Sequence, residues 1–433
     1  MAHAADAGTT KKDATEVLIK GRLYDVTGFH HPGGNIISFL TGGGDATEAY
    51  GEFHARSKMA EKVLASLPNR EAPAEVLARR AGNGKPGISK DYQELRDQLV
   101  AEGFFDPSMS ECLYRVTEIV VMKLIGAYMF MFCAQPGIRL LGLLIIGIAT
   151  GRCGWLMHEA GHHSMTGHIP TDRVLQIVLY GVGCGMSGAW WRNQHNKHHA
   201  TPQKLQHDVD LDTLPLVAFH AGVLGKTSSP ILKAWLRMQG VLFIPVSCLL
   251  VTLFWSLYLH PRYIYRVLTT SRKQARGAKG RAAGEAISLV IRYLLWFGVL
   301  TSGLSWGHAM TCYLVHFAVA GMYIFTNFSL SHTHLPVTKP DQYLHWVEYA
   351  ALHTTNIAPG PVCDWWMAYL NYQIEHHLFP SMPQFRHPSV SPRVRVLFAK
   401  HGLPYDTRPY FGCLWETLAN LHEVGKVAQQ KQA

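Results

Sequence analysis

The stretches His158-Glu-Ala-Gly-His162-His163, His195-Asn-Lys-His198-His199 and Gln373-Ile-Glu-His376-His377 decide how this chain folds. In the second and third, the polar side chains stand at i, i+3 and i+4, with Gln373 where the second has His195. On a helix those offsets place all three on one face, about 5–6 Å apart at Cβ. His158 and His162 are likewise i, i+4. One such histidine reads as an ordinary hydrogen-bonded group at an interface. Seven in three helical clusters read as imidazoles converging on metal, because ionisable groups at membrane depth are costly and mark function.

The membrane reading comes from what lies around the clusters. Apolar spans run over 116–134, 138–157, 241–259, 286–306 and 309–330. Each is near the length of about 20 residues that crosses a bilayer. Gln135-Pro136-Gly137 turns the first span back on the second and returns the chain to its starting side just before His158. If the second and third clusters share one site, an even number of crossings separates them. One of the three later spans then lies along the interface or dips into it: 241–259, bent at Pro245, or 286–306, which carries Arg292. Sequence leaves both open, and four crossings are expected.

Composition points the same way. Hydrophobic residues make up 48% of the 433, and mean hydropathy is +0.02, too apolar for plain soluble domains. The formal charge is +10, yet basic residues crowd beside the apolar spans, as at Arg262, Arg266, Arg272, Lys273, Arg276, Lys279 and Arg281. That placement suits a cytoplasmic face with anionic lipid and argues against a nucleic-acid partner. Eight cysteines without a CxxC pair argue against a thiolate metal site and a disulfide framework. Residues 1–20 are polar with no apolar signal core, so the front end is expected in the cytosol. Residues 14–68 read as a small soluble domain and 69–90, rich in proline and glycine, as a linker. Residues 91–433 read as the membrane domain, opening with an amphipathic helix at 91–103 that leads to the bilayer.

In the front domain, His31-Pro32-Gly33-Gly34 is followed by Gly44-Asp45-Ala46-Thr47-Glu48 and by His54, 23 residues after His31. Two neutral imidazoles from opposite sides of a cleft can fill both axial positions of a haem, which restricts its iron to electron transfer. Ile36, Ile37, Phe39, Leu40, Tyr50 and Phe53 are expected to line the slot. The four residues 31–34 alone would be a turn between elements. With Tyr24-Asp25-Val26 before them and Asp-Ala-Thr-Glu and His54 after, the stretch closely resembles cytochrome b5. That resemblance implies His31 and His54 as the ligands of haem b. Asp45, Glu48 and Glu52 read either as an acidic rim for a basic reductase or as solvated surface.

Imidazole suits zinc, copper, iron and nickel. So many nitrogens exceed the four that one zinc takes, so two metals are the economical reading, and a haem delivering single electrons favours iron. His158-Glu159-Ala160-Gly161-His162 also fits the H-E-x-x-H of zinc proteases. A protease leaves the other clusters and the haem domain unexplained.

The ordered set of a b5-like domain and three histidine boxes, the last opening with Gln, resembles the front-end (cytochrome b5-fusion) fatty acyl desaturases of microbial and algal Δ5/Δ6 type. Trp190-Trp191-Arg192-Asn193-Gln194 and Ser331-His332-Thr333-His334-Leu335-Pro336 extend the match over nearly the whole chain. The fold implied is an α+β b5-like domain followed by an all-α membrane domain, with about four transmembrane helices and a cytoplasmic helical cap carrying the metal site. The resemblance implies His158, His162, His195, His198, His199, His376 and His377 as ligands of two non-haem iron ions. His334 is expected as the additional ligand, with His332 as its substitute and His163 as a bystander. Gln373 is either a weak ligand or a hydrogen-bonding group. Glu159 stands where the family often has Asp, and is expected to support a ligand rather than be one. Asp208, Asp210 and Asp212 read as orienting ligand imidazoles or as a solvated acidic loop.

The implied activity uses O2 and electrons from NADH-cytochrome b5 reductase, passed singly through the haem, to insert a cis double bond into a long-chain acyl group. The acyl carrier is coenzyme A or a phospholipid, and the position Δ5 or Δ6, leaning to Δ5. The setting implied is the endoplasmic reticulum membrane, with the haem domain and metal site on its cytoplasmic face. Two rivals remain: a b5-fused sphingolipid long-chain-base desaturase, which shares the Gln-type third box, and a membrane-anchored electron carrier with vestigial boxes.

Overall fold

The computed structural model describes residues 15–41, 44–81, 84–211, 213–226, 229–271, 274–275 and 277–430. Its front domain opens with a hairpin of β1 (Glu16–Ile19) and β2 (Arg22–Asp25), Val17 opposite Tyr24. Lys20 and Gly21 turn it with positive φ of 49° and 73°, the two-residue geometry that suits strand twist. Val17, Ile19, Tyr24, Val26 and Ala46 form its small core. Helix α1 (Thr47–His54) starts where Asp45 Oδ1 accepts from Thr47 N at 2.9 Å, and α2 (Lys58–Ser66) is capped by Ser57.

The sheet continues past the expected boundary at 68, because β3 (Asn69–Glu71) pairs with β2. Within the expected linker, the good helix formers of Ala-Glu-Val-Leu-Ala-Arg-Arg-Ala make α3 (Ala74–Ala81). Helix α4 (Ile88–Ala101) is amphipathic as expected, with Ile88, Tyr92, Leu95 and Leu99 buried in one stripe. The stripe packs on Trp346, Val347, Val390 and Val394 of the cap.

Four long helices build the membrane domain's bundle: α5 (Met109–Phe132), α6 (Pro136–Gly161), a helix over Ala278–Leu300 and one over Trp306–Ser329. α5 and α6 are antiparallel, tied by Glu118 to Arg152 at 2.7 Å and by Arg115 to Glu159. Gly126 and Gly142 let their backbones touch; a Cβ on either would lie 2.6–2.7 Å from the other's carbonyl oxygen. α6 and Trp306–Ser329 run in the same direction: Gly147 meets His316 and Val319, Gly151 meets Ala320 and Tyr323, and Gly154 meets Ile324. Box one and the chain leaving Ser329 therefore emerge at the same end. Ala278–Leu300 runs back against its successor, with Trp296 stacked on His316 at 3.9 Å and Phe297 on Trp306 at 4.9 Å. Outward faces are apolar and exposed, as at Leu113, Leu124, Tyr128, Phe132, Leu294 and Val299.

A further apolar helix, Gln239–Thr269, is 31 residues long. By length and composition it, α6, Ala278–Leu300 and Trp306–Ser329 could each cross a membrane. Its packing sets it apart. Cys248 and Thr252 meet Gly321, and Trp255 meets Phe325, all near the histidine end of the neighbouring helix. Further along, His260 reaches Ser187 beside box two. It has two π-helical turns, Phe243–Ser247 and Trp255–Leu259. The first contains Pro245 and the second precedes Pro261, where a missing N–H and a ring clash widen the helical ladder.

Candidate metal centre

Box one closes α6, so His158 and His162 stand at the end of a helix whose height is fixed by its glycine contacts. Box two lies on α7 (Gly188–Ala200), preceded by the cap residue Ser187, which accepts from Trp190 N at 3.1 Å. Glu285 anchors the same helix start by accepting from Ser187 Oγ at 2.6 Å and Ala189 N at 2.8 Å, a carboxylate placed at a positive helix end. Box three is the short helix α8 (Gln373–Leu378). There Ile374 N donates to Asn356 Oδ1, and Glu375 is drawn away to Asn356 and Tyr405. His376 and His377 are left facing the other boxes.

The side chains meet in two groups. His158, His162, His195, His199 and His376 bring ligand atoms within 4.8 Å of one another, and His198, His332 and His377 do the same. His195 Nε2 and His199 Nε2 are 3.0 Å apart, and Trp191 stacks on His195 at 4.2 Å. Both ring nitrogens of His376 and of His377 are buried without a hydrogen-bond partner. Buried polar groups are rarely left so, and neutral imidazoles around an apolar-walled space fit a metal pair.

Electrostatics agree. Burial, then neighbouring imidazoles, push His195, His199, His376 and His377 well below their ordinary pKa. Burial holds His162 and His332 down to about 3. All are thus neutral, the metal-binding form. For His198, burial is outweighed by Asp208 and Asp210, which raise it to about 9. Its Nδ1 lies 2.9 Å from Asp208 Oδ2 and 3.5 Å from Asp210. That carboxylate holds the proton on Nδ1, and a metal would displace the proton on Nε2. Asp212 lies outside the described residues.

The expected additional ligand has to be corrected. His332, not His334, joins His198 and His377, with ring centroids at 4.7 and 4.8 Å. His332 Nδ1 lies 2.8 Å from the His353 carbonyl oxygen. His334 is turned away, its Nε2 3.3 Å from Glu416 Oε2. His163, at φ 59° beyond the helix end, also stays outside both groups. Gln373 donates to the Leu370 carbonyl at 2.8 Å and also bonds His332. Glu159 is 3% exposed, ion-paired with Arg115, and accepts from Gln384 N at 3.0 Å. A carboxylate so held is no general base, which removes the protease reading of box one. Gln384, with Nε2 2.9 Å from His158 Nδ1, and buried His387, 5.9 Å from His376 between ring centroids, belong to the same surroundings. Neither stands in a repeating pattern, and sequence reading missed both.

In the front domain, the ring centroids of His31 and His54 lie 5.9 Å apart. That separation leaves room for one metal ion between the two rings, so His31 and His54 would hold a haem. His54 Nδ1 sits 3.0 Å from the Tyr50 carbonyl, which frees Nε2. Ile36, Ile37, Leu40, Tyr50 and Phe53 are buried or half-buried here, while the Phe39 side chain lies outside the described residues. Glu48 and Glu52 are neither solvated nor an open rim. Glu48 meets His345 at 3.3 Å and Ser89, and Glu52 accepts from Arg96 at 2.5 Å and Tyr92 at 3.1 Å. The acidic face of α1 is docked on the membrane domain, and of the three acids Asp45 alone is exposed.

Comparison with known proteins agrees with this geometry. The pattern of the family "Fatty acid desaturase" matches residues 135–409, and that of "Cytochrome b5-like Heme/Steroid binding domain" matches 5–71. An "Acyl-lipid (8-3)-desaturase" of Rebecca salina is 52% identical, over 97% of this chain and 93% of that protein. A protein of the same description from Thraustochytrium sp is 49% identical, over 94% and 92%. "Delta(8)-fatty-acid desaturase 2" of Arabidopsis thaliana is 28% identical, over 90% and 85%. The chain belongs to the fatty acid desaturase family, as a front-end enzyme with its own cytochrome b5-like domain.

Proposed function

We propose that this enzyme inserts a cis double bond at C5 of lipid-linked polyunsaturated acyl chains, three carbons toward the carboxyl from a bond at C8. The reading is supported by the Rebecca salina and Thraustochytrium sp relatives described above, both named acyl-lipid (8-3)-desaturases. The observation that carries the chemistry is the pair of buried histidine groups. His158, His162, His195, His199 and His376 would hold one iron, and His198, His332 and His377 a second. Iron there supplies the dioxygen chemistry that an unactivated methylene requires.

The chain's own residues set the conditions. Asp208 fixes the tautomer of His198, and the His353 carbonyl orients His332. Gln384 and the Arg115–Glu159 pair brace His158. Burial of all three boxes keeps bulk water from a site that handles a strong oxidant. His31 and His54 would hold haem b, which would supply single-electron transfer from NADH-cytochrome b5 reductase. The crossing helices are α5, α6, Ala278–Leu300 and Trp306–Ser329. Gln239–Thr269 lies in the interface, so the boxes and the haem domain share the cytoplasmic face of the endoplasmic reticulum membrane.

Expression in a desaturase-poor yeast fed C18 and C20 polyunsaturated acids tests this, with products mapped by mass spectrometry. New Δ5 bonds, appearing first in phospholipid rather than in acyl-CoA, are expected. Products at Δ6, or desaturated long-chain bases, would overturn the assignment.

A further inference from the structure

Two aromatic side chains, Trp346 and Tyr92, join the docked haem domain to the third histidine box, and of the two only Trp346 makes a ring-to-ring contact with that domain. Phe53, the neighbour of haem ligand His54, contacts Trp346 edge-to-face with ring centroids 5.9 Å apart. Trp346 Nε1 donates to the Leu378 carbonyl at 3.2 Å, and Leu378 is bonded to His377. One ring contact and one hydrogen bond thus join a residue beside the haem to a residue beside the metal pair. Trp346 is 7% exposed and sits in the core shared by both domains. Its position is held from the haem side, since the neighbouring His345 caps the helix Trp346–His353 and meets Glu48 at 3.3 Å. Tyr92 reaches the same Leu378 carbonyl at 2.9 Å, but on the haem side it holds the Glu52 carboxylate at 3.1 Å rather than a ring. A further close approach places Gly34 against Asn193. That contact starts three residues from His31 and ends two residues short of His195, with no aromatic ring in between.

We propose that Trp346 is the electron bridge between the haem domain and the histidine groups. This rests on haem at His31 and His54 and on iron at the boxes. Each passage through Trp346 takes one electron from a ferrous haem, leaving it ferric, and delivers it to a ferric ion, leaving that ferrous. No bond forms or breaks and no proton moves. The indole shortens the gap that an electron must tunnel and lies in van der Waals reach of both sides.

The test uses the full-length protein with haem and iron bound, fully oxidised, without oxygen or substrate. The haem is reduced by a light flash, and its reoxidation is followed by absorbance. Trp346→Leu is expected to slow reoxidation by about tenfold or more, equal to at least ~1.4 kcal/mol of barrier. Haem spectrum, haem potential and iron content should stay unchanged, which a merely structural role would not predict. Trp346→Phe keeps a ring without the N–H and should fall between wild type and Trp346→Leu. Asn193→Ala should match wild type. A Trp346→Leu rate equal to wild type, or slowing in Asn193→Ala alone, overturns the proposal. Should Trp346→Leu lose haem or iron, Trp346→Phe decides, and a wild-type rate there overturns it too. A wild-type haem that stays reduced would instead overturn the metal reading beneath it.

Discussion

Replacing His332 and His334 separately by alanine tests the metal geometry where the structure departs from the sequence. His332 is one of three imidazoles in its group, and its removal leaves His198 and His377 alone. Two nitrogens do not retain iron against water and buffer, so iron should fall from about two per haem to about one. Desaturation should vanish while the haem spectrum is kept. His334 faces Glu416, whose side chain is 43% exposed. His334 itself is buried but stands outside both histidine groups, so His334→Ala should keep its iron and most of its activity. The assay is metal analysis against haem absorbance on purified protein, with product profiling in the same cells. Iron halved in His334→Ala and intact in His332→Ala would refute the reasoning.

Other perturbations probe the supports of the site. Asp208→Asn removes the carboxylate 2.9 Å from His198 Nδ1 and should weaken iron binding about 10–100-fold in chelator competition; unchanged affinity would mean that packing alone holds His198. Arg96→Ala strands Glu52, which is 2% exposed, at a cost of about 3–5 kcal/mol to the docked arrangement. Hydrogen exchange in α1 and α4 should rise together, and unchanged protection would show that the pair does not hold the face. Glu118→Ala strands Arg152 inside the bundle and should lower the melting temperature through a similar loss of about 3–5 kcal/mol. Replacing both by methionine should restore it, and a double variant as unstable as the single one would contradict the pairing.

Much of this protein is legible in sequence because its signals are local. Helical spacing within each box is a matter of four or five residues, and 31–54 spells out its haem-binding loop in order. What fails is what depends on distant backbone. The helix before His332 ends at Ser329, and three residues later no periodicity tells which side chain turns inward. The His353 carbonyl, beyond a separate loop, decides for His332. Glu48 and Glu52 carry no mark that they will be buried, since their partners Ser89, Arg96 and His345 stand on other elements. Hydropathy likewise cannot separate Gln239–Thr269 from a crossing helix. Its contacts at Gly321 and Phe325 lie toward one end of the neighbouring helix, which is information that hydropathy does not carry.

Convergence of the boxes demands that the bundle not slip. Ligand atoms of the first group gather within 4.8 Å, whereas a one-turn slip of α6 would move His158 and His162 by about 5.4 Å. Propensity and hydrophobic contact do not forbid such a slip, because lipid is as apolar as leucine. Specific heights do. Gly147, Gly151 and Gly154 each admit specific close neighbours on Trp306–Ser329, and a shift drives other side chains into their backbone. Between α5 and α6, Arg152 and Arg115 reach Glu118 and Glu159, with all four charged side chains largely buried. Buried pairs add little net stability, but a mispaired charge in an apolar bundle costs several kcal/mol. The ion pairs and the glycine contacts therefore select the single register in which box one stands level with His332 and with boxes two and three.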